Sequence, residues 1–130
     1  MPHITAEYSA NLDADIDPAR LVAALHEAAL ATGVFPLGGL RTRAVRREIF
    51  MVADGDPDNA FVAVTARIGA GRDAPTRQRV GEALMAALER ETATAFAKRG
   101  LGLTVEVAET DPVGALKLNN LHRRMKDKAS

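Results

Sequence analysis

The sequence predicts an α+β fold in which two β-α-β units form one four-stranded mixed sheet with both helices on the same face. Three observations carry this. Four short segments alternate apolar and polar side chains with the period of a strand. Two longer segments repeat apolar residues at helical spacing, and the two kinds follow each other twice in the order strand, helix, strand. A helical crossover between strands of one sheet implies a parallel pair, and right-handed crossovers related by a pseudo-twofold put both helices on one side. The 130 residues read as a single domain, 1–130, long enough to close its own core.

Each element has a local reason. In residues 3–8, Ile4, Ala6 and Tyr8 face one way and His3, Thr5 and Glu7 the other, which is a strand. A polar connection follows, and Asp17-Pro18 supplies an N-cap with proline at the first helical position. Leu21, Ala24, Leu25, Ala28 and Ala29 make the apolar stripe of the first helix, which Thr32-Gly33 stops. A glycine- and proline-bearing loop spans 34–39. The second strand is expected from Leu40 to Ala53, and Asp54-Gly55-Asp56-Pro57-Asp58-Asn59 reads as a hairpin tip. The third strand covers 60–68, and Gly69-Ala70-Gly71-Arg72 turns the chain. Asp73 or Thr76 caps a long helix with the stripe Val80, Ala83, Leu84, Ala87, Leu88, and Gly100 ends it. A fourth strand covers 101–108. From Asp111 the chain reads as polar and irregular, with 124–130 a frayed basic tail. Both sides of the third strand are apolar, so the sheet face away from the helices is expected to be covered by another copy of the protein.

Composition removes whole classes of chemistry. With 47% hydrophobic and 26% charged residues the chain reads as an ordinary soluble globular protein. It has no cysteine, which excludes disulfides, thiol catalysis and thiolate metal ligands. Seventeen basic residues balance 17 acidic ones, which argues against partners recognised by bulk charge, so neither nucleic acid nor membrane is expected. No run approaches the roughly 18–20 apolar residues of a membrane span. The N-terminus lacks the basic-then-apolar pattern of a secretory signal, so a cytoplasmic location is expected.

The candidate sites narrow quickly. Gly69-Ala70-Gly71-Arg72 lies between a strand and a helix but lacks the further residues of a nucleotide loop, and reads as a tight turn aiming Arg72 at the end of the sheet. Asp54, Asp56 and Asp58 do not make a calcium loop, because Pro57 intrudes and Thr65 stands where the closing glutamate belongs. His3, His26 and His122 have no metal-ligand spacing, so no metal is expected. The two serines, Ser9 and Ser130, fit no nucleophile motif, leaving acid–base chemistry. Pro2 follows the initiator, whose removal leaves a free secondary amine; taken alone, the plainer reading is that Pro2 simply starts a strand. Arg41 and Arg43 point to one face of a strand, one pleat apart. Residues 41–79 hold eight arginines and five acids, which suggests an anion site, although Arg46 and Arg47 also suit a solvated edge strand.

These features are carried by motifs that resemble a known family. Met1-Pro2-His3, Ala31-Thr32-Gly33-Val34-Phe35-Pro36-Leu37-Gly38-Gly39-Leu40-Arg41-Thr42-Arg43, Ala53-Asp54-Gly55, Ile68-Gly69-Ala70-Gly71-Arg72 and Asn119-Asn120-Leu121-His122 look like 5-carboxymethyl-2-hydroxymuconate delta-isomerase, of the tautomerase superfamily. The resemblance runs in order to about His122. It implies a tautomerase-like homotrimer of β-α-β repeats, a catalytic N-terminal proline in Pro2, and no cofactor.

The activity so implied is ketonisation of a 2-hydroxymuconate-type dienol, by transposing its C=C bonds, in meta-cleavage degradation of an aromatic acid. The substrate is then a dicarboxylate or tricarboxylate, bound by Arg41, Arg72 and Arg43, partly from neighbouring subunits. Pro2 takes the enol proton and returns it at carbon. Burial and neighbouring guanidinium groups disfavour its charged form and draw it toward neutrality. Phe35, Phe50 and Phe61 are candidates for a dry wall. The competing readings are another proline-dependent tautomerase or dehalogenase acting on a smaller acid, and a non-enzymatic trimeric binding protein of the same fold.

Overall fold

The computed structural model describes residues 1–129. Its elements in order are β1 (His3–Ser9), α1 (Pro18–Ala31), β2 (Arg41–Arg47), β3 (Ala60–Ile68), α2 (Ala74–Lys98), β4 (Leu101–Glu109) and α3 (Leu121–Ala129), with 3-10 turns at Ala10–Leu12 and Leu37–Gly39. The strands form one sheet in the order β2-β1-β3-β4. β1 runs parallel to β2, with His3 opposite Arg41, and β3 runs parallel to β4, with Ala60 opposite Leu101. The two halves meet through the antiparallel pair β1–β3, where His3 lies opposite Arg67. The two expected β-α-β units are therefore present, joined about a pseudo-twofold.

The caps act as the sequence predicts. The Asp17 carboxylate accepts from the backbone N–H groups of Ala19 and Arg20, and the Asp73 carboxylate accepts from that of Thr76. Helix α1 ends through Thr32, followed by Gly33 at φ +73°, a value that suits glycine. Both helices pack on the same sheet face. Leu21, Leu25 and Ala29 of α1 and Val80, Leu84, Ala87 and Leu88 of α2 are buried against Ile4, Ala6, Val62, Val64 and Ala66. Each fully buried leucine contributes about 1.5–3 kcal/mol over an exposed one. Thr92, fully buried in α2, satisfies its hydroxyl on the Leu88 carbonyl at 2.7 Å.

Three expectations need correction. β2 ends at Arg47, not Ala53. Its only ladder partner, β1, ends opposite it at Ser9, and a strand without a partner leaves its backbone groups unpaired. Nor is 54–59 a hairpin tip, because β1 lies between β2 and β3. Residues 48–59 are a connection crossing the end of β1, pinned by Asn11, whose amide donates to the carbonyls of Pro57 and Asn59 at 3.0 and 2.7 Å. Finally, residues 121–129, expected to be irregular and frayed, form helix α3, which packs on the Leu37–Gly39 turn.

The sheet face opposite the helices carries His3, Thr5, Glu7, Arg41, Arg43, Phe61, Ala63 and Thr65, and no layer of the described residues covers it. Among the described residues, no helix is long and apolar enough to cross a membrane.

Candidate active site

The topology makes one end of β1 a meeting point. Parallel pairing brings the start of β2 beside the start of β1, and antiparallel pairing brings the end of β3 there too. Thus Pro2, Arg41 and the turn 69–72, distant in sequence, converge. Pro2 is buried, and its carbonyl accepts from the Arg41 backbone N–H at 3.1 Å. Gly39 lies against its ring: a Cβ at that position would stand 3.5 Å from Pro2 Cδ.

Two guanidinium groups are oriented by backbone carbonyls. Arg41 Nη1 donates to the Gly39 carbonyl at 2.7 Å. Arg72 Nη1 donates to the Gly69 carbonyl at 3.1 Å, and its guanidinium lies 5.2 Å above the Phe35 ring. Stacking and chelation of this kind hold the planar fork in place without exhausting its five donors. Gly71, at φ +106°, lets the turn close, and its N–H donates to the Glu109 carboxylate at 3.0 Å. Of the three candidate phenylalanines, Phe35 is the one at this site; Phe50 and Phe61 meet each other edge to face, 6.3 Å apart, on the uncovered sheet face.

With Met1 in place, its own amine is held below the ordinary value of 8.0, first by burial and then by the positive charges of Lys117, Arg41 and Arg72. These three cations therefore lie within electrostatic reach of the residue that precedes Pro2. His3 is held below its ordinary 6.5 by burial, then by Arg43 and Arg41. Arg43 Nη1 lies 3.0 Å from His3 Nδ1. An arginine only donates, so Nδ1 accepts and the neutral ring carries its proton on Nε2. Arg43 is exposed and sits one pleat beyond Arg41 on the uncovered face, outside the immediate surroundings of Pro2. Arg46 and Arg47, at the far end of β2, are taken up by ion pairs with Asp13, Glu48 and Glu7.

Residues 110–120 close the site, and the sequence offers little sign of it. With Met1, His3 and Ala70, this segment's Asp111, Leu116 and Lys117 line a cavity of ≈ 370 Å³. The segment is tied to the sheet where the Thr110 N–H donates to the Ile68 carbonyl at 2.8 Å, and to the 34–39 loop where the Asn119 amide donates to the Gly38 carbonyl at 3.0 Å. Lys117, absent from the sequence-derived candidates, lines this cavity and is one of the three cations that lower the Met1 amine. The available signal was the Asn119-Asn120-Leu121-His122 block, which marks the segment's anchor but not its cation. The histidines stay apart: His26 pairs with Thr42 at 2.8 Å, and His122 packs on Gly38. A larger apolar groove, lined by Met85, Phe96 and Leu103, lies on the α2–β4 edge and holds none of the candidate residues.

Comparison with known proteins converges on one group. A family model described as 5-carboxymethyl-2-hydroxymuconate isomerase matches residues 2–125. The 5-carboxymethyl-2-hydroxymuconate Delta-isomerase of Escherichia coli is 37% identical over 126 residues, covering 97% of this chain and all of that protein. A crystal structure of a 5-carboxymethyl-2-hydroxymuconate isomerase from Deinococcus radiodurans R1 is 40% identical with a TM-score of 0.90, covering 95% of this chain and 93% of that one. Another, of a 5-carboxymethyl-2-hydroxymuconate delta-isomerase, is 30% identical with a TM-score of 0.87, covering 96% and 93%.

Proposed function

The chain belongs to the 5-carboxymethyl-2-hydroxymuconate isomerase family and is an isomerase; from that premise we propose that Pro2, freed of Met1, is its catalytic base. The observation that supports this reading is the convergence of a buried proline with Arg41 and the turn bearing Arg72 at one strand end. The substrate is a 2-hydroxymuconate-type dienol, for which 5-carboxymethyl-2-hydroxymuconate is the leading candidate. In its neutral form the ring amine takes the proton of the 2-hydroxyl group. Electrons move from oxygen into the conjugated system, and the same proton is delivered to a carbon along it. One O–H bond is lost and one C–H bond is gained, so the exchange balances within the substrate and calls for no cofactor.

Arg41 and Arg72 bind carboxylates and stabilise the dienolate as its charge develops, which fixed guanidinium groups do without reorganising. Phe35 beneath Arg72 supplies the dry wall. Arg43, on the uncovered face beside His3, adds positive potential at the edge of the site, where a neighbouring copy helps enclose the substrate. A homotrimer fits this arrangement. In one chain Ile49 is 98% exposed and Leu118 98% exposed, apolar surface that a neighbouring subunit would remove from water. The cytoplasmic degradation of an aromatic acid is the setting this chemistry suits.

The test follows the ultraviolet decay of 2-hydroxymuconate dienols on a protein whose intact mass begins at Pro2. Pro2→Ala is expected to lower kcat/KM by about 100-fold or more, the usual scale of an acid–base group. Arg41→Ala and Arg72→Ala each lose about 10- to 100-fold, the worth of a charge-assisted hydrogen bond. Wild-type rates in both Pro2→Ala and Arg41→Ala would overturn the mechanism.

A further inference from the structure

Residues 110–120 form a strap across the cavity, fastened at one end by Thr110 on Ile68 and at the other by Asn119 on Gly38. The second fastening is tight: a Cβ at Gly38 would come within 2.6 Å of His122 Nδ1. Between these anchors the strap is shaped by Asp111. Its carboxylate accepts from the Val113 N–H at 3.0 Å, and its carbonyl accepts from the Ala115 N–H at 3.1 Å. Asp111 is thus engaged within the strap, and the other nearby acid, Glu109, is engaged by Arg77 and the Gly71 N–H. Among the described residues the strap brings one cation to the cavity lining, Lys117, together with Leu116, Met1 and His3.

We propose that Lys117 is a specificity-determining residue that binds the substrate carboxylate left over by Arg41 and Arg72, so that the site prefers a tricarboxylate to a dicarboxylate. The proposal deepens the functional reading above and rests on it for the identity of the substrate. Lys117 lines the cavity beside His3 and Ala70, and Arg41 and Arg72 stand at the same end of the sheet, while a muconate bearing a carboxymethyl branch carries three carboxylates. Arg41 and Arg72 are chelated to backbone carbonyls and fixed in direction. Lys117 differs in kind, because its four-carbon stem is free to follow a carboxylate on a flexible CH2 branch. An outermost, mobile cation on a strap is suited to the substituent that varies between substrates, while the fixed arginines hold the part common to all of them.

The experiment has a binding arm and a turnover arm. Tricarballylate and glutarate, inert acids of three and two carboxylates, are titrated calorimetrically into the wild type, Lys117→Met and Lys117→Arg. The wild type is expected to bind tricarballylate about 10-fold or more tightly than glutarate. Lys117→Met brings the two within about 3-fold, and Lys117→Arg keeps most of the preference. In turnover, Lys117→Met lowers kcat/KM for the tricarboxylate dienol by about 10- to 100-fold, chiefly through KM, and changes the dicarboxylate dienol by less than about 3-fold. Equal loss for both acids overturns the proposal, since it makes Lys117 a general source of positive potential, and so does an unchanged preference. A Lys117-dependent preference in binding with neither dienol turned over supports this site and instead defeats the isomerase mechanism on Pro2.

Discussion

At the N-terminal end of β1 the charge state of individual groups is decided by their neighbours. His3 shows how. Burial disfavours its imidazolium, and the Arg43 guanidinium at 3.0 Å disfavours it again. Replacing Arg43 with alanine is therefore expected to move the His3 titration, followed by the NMR shift of its ring protons, back toward 6.5 without fully reaching it, because burial remains. The sign for stability follows. His3 binds its proton less readily folded than unfolded, so the unfolded chain holds more protons between the lowered value and 6.5. Stability is complete above 6.5 and is lost as pH falls through the lowered value. The urea midpoint is expected to fall over that window, and His3→Asn to flatten the fall. A midpoint equally pH-dependent in His3→Asn would assign the effect to other groups.

Among the elements, the core helices and the tail helix are held by different means. Helices α1 and α2 carry their own caps and apolar stripes, so residues 17–33 and 73–100 are legible from spacing alone. Helix α3 has no buried residue. It starts where the Asn119 carboxamide accepts from the Leu121 N–H at 2.6 Å, and it is held by what Asn119 and His122 touch on Gly38. Its residues are mostly charged and only Leu121 and Met125 form an apolar pair at helical spacing, which is why its sequence reads as a tail; that pair and the cap at Asn119 are the local hints. Gly38→Ala places a methyl group where His122 packs, so hydrogen exchange in 121–129 is expected to quicken by about 10-fold or more. The global unfolding midpoint should shift little, by about 0.5 kcal/mol or less, because α3 contributes nothing to the buried core. A large fall in the midpoint with unchanged exchange in α3 would contradict this account. The misread hairpin has a comparable origin. Turn chemistry at 54–59 is real, with Gly55 at φ +84°, but a turn says nothing about which strands it joins.

For the whole molecule, the uncovered sheet face is the surface on which the proposed trimer depends. Ala63 lies at its middle on β3, next to Glu7 of β1 and Thr104 of β4. If neighbouring copies cover this face, Ala63→Arg inserts a cation that cannot be accommodated. Sedimentation is then expected to fall from three times the 13.8 kDa chain mass to the chain mass itself, with dienol turnover lost alongside. A variant that stays trimeric and active would show that the subunits meet elsewhere.

The sequence by itself determined what depends on near neighbours along the chain. Strand alternation, helical stripes, caps and the glycine turn at 69–72 each act over a few residues, and together they dictate two β-α-β units. The sequence also offered Pro2, Arg41, Arg72 and Arg43 as candidates, partly from position and charge and partly from the motifs around them. Only the tertiary structure decided which of these share a site. Pairing β1 with both β2 and β3 brings Pro2, Arg41 and the turn bearing Arg72 to one strand end and leaves Arg43 one pleat further along β2, and no local pattern encodes strand order. Nor could spacing reveal Lys117, whose neighbours are set by a strap anchored on Ile68 and Gly38. Long-range contacts of that kind depend on where the rest of the chain has gone, which is information no single segment holds.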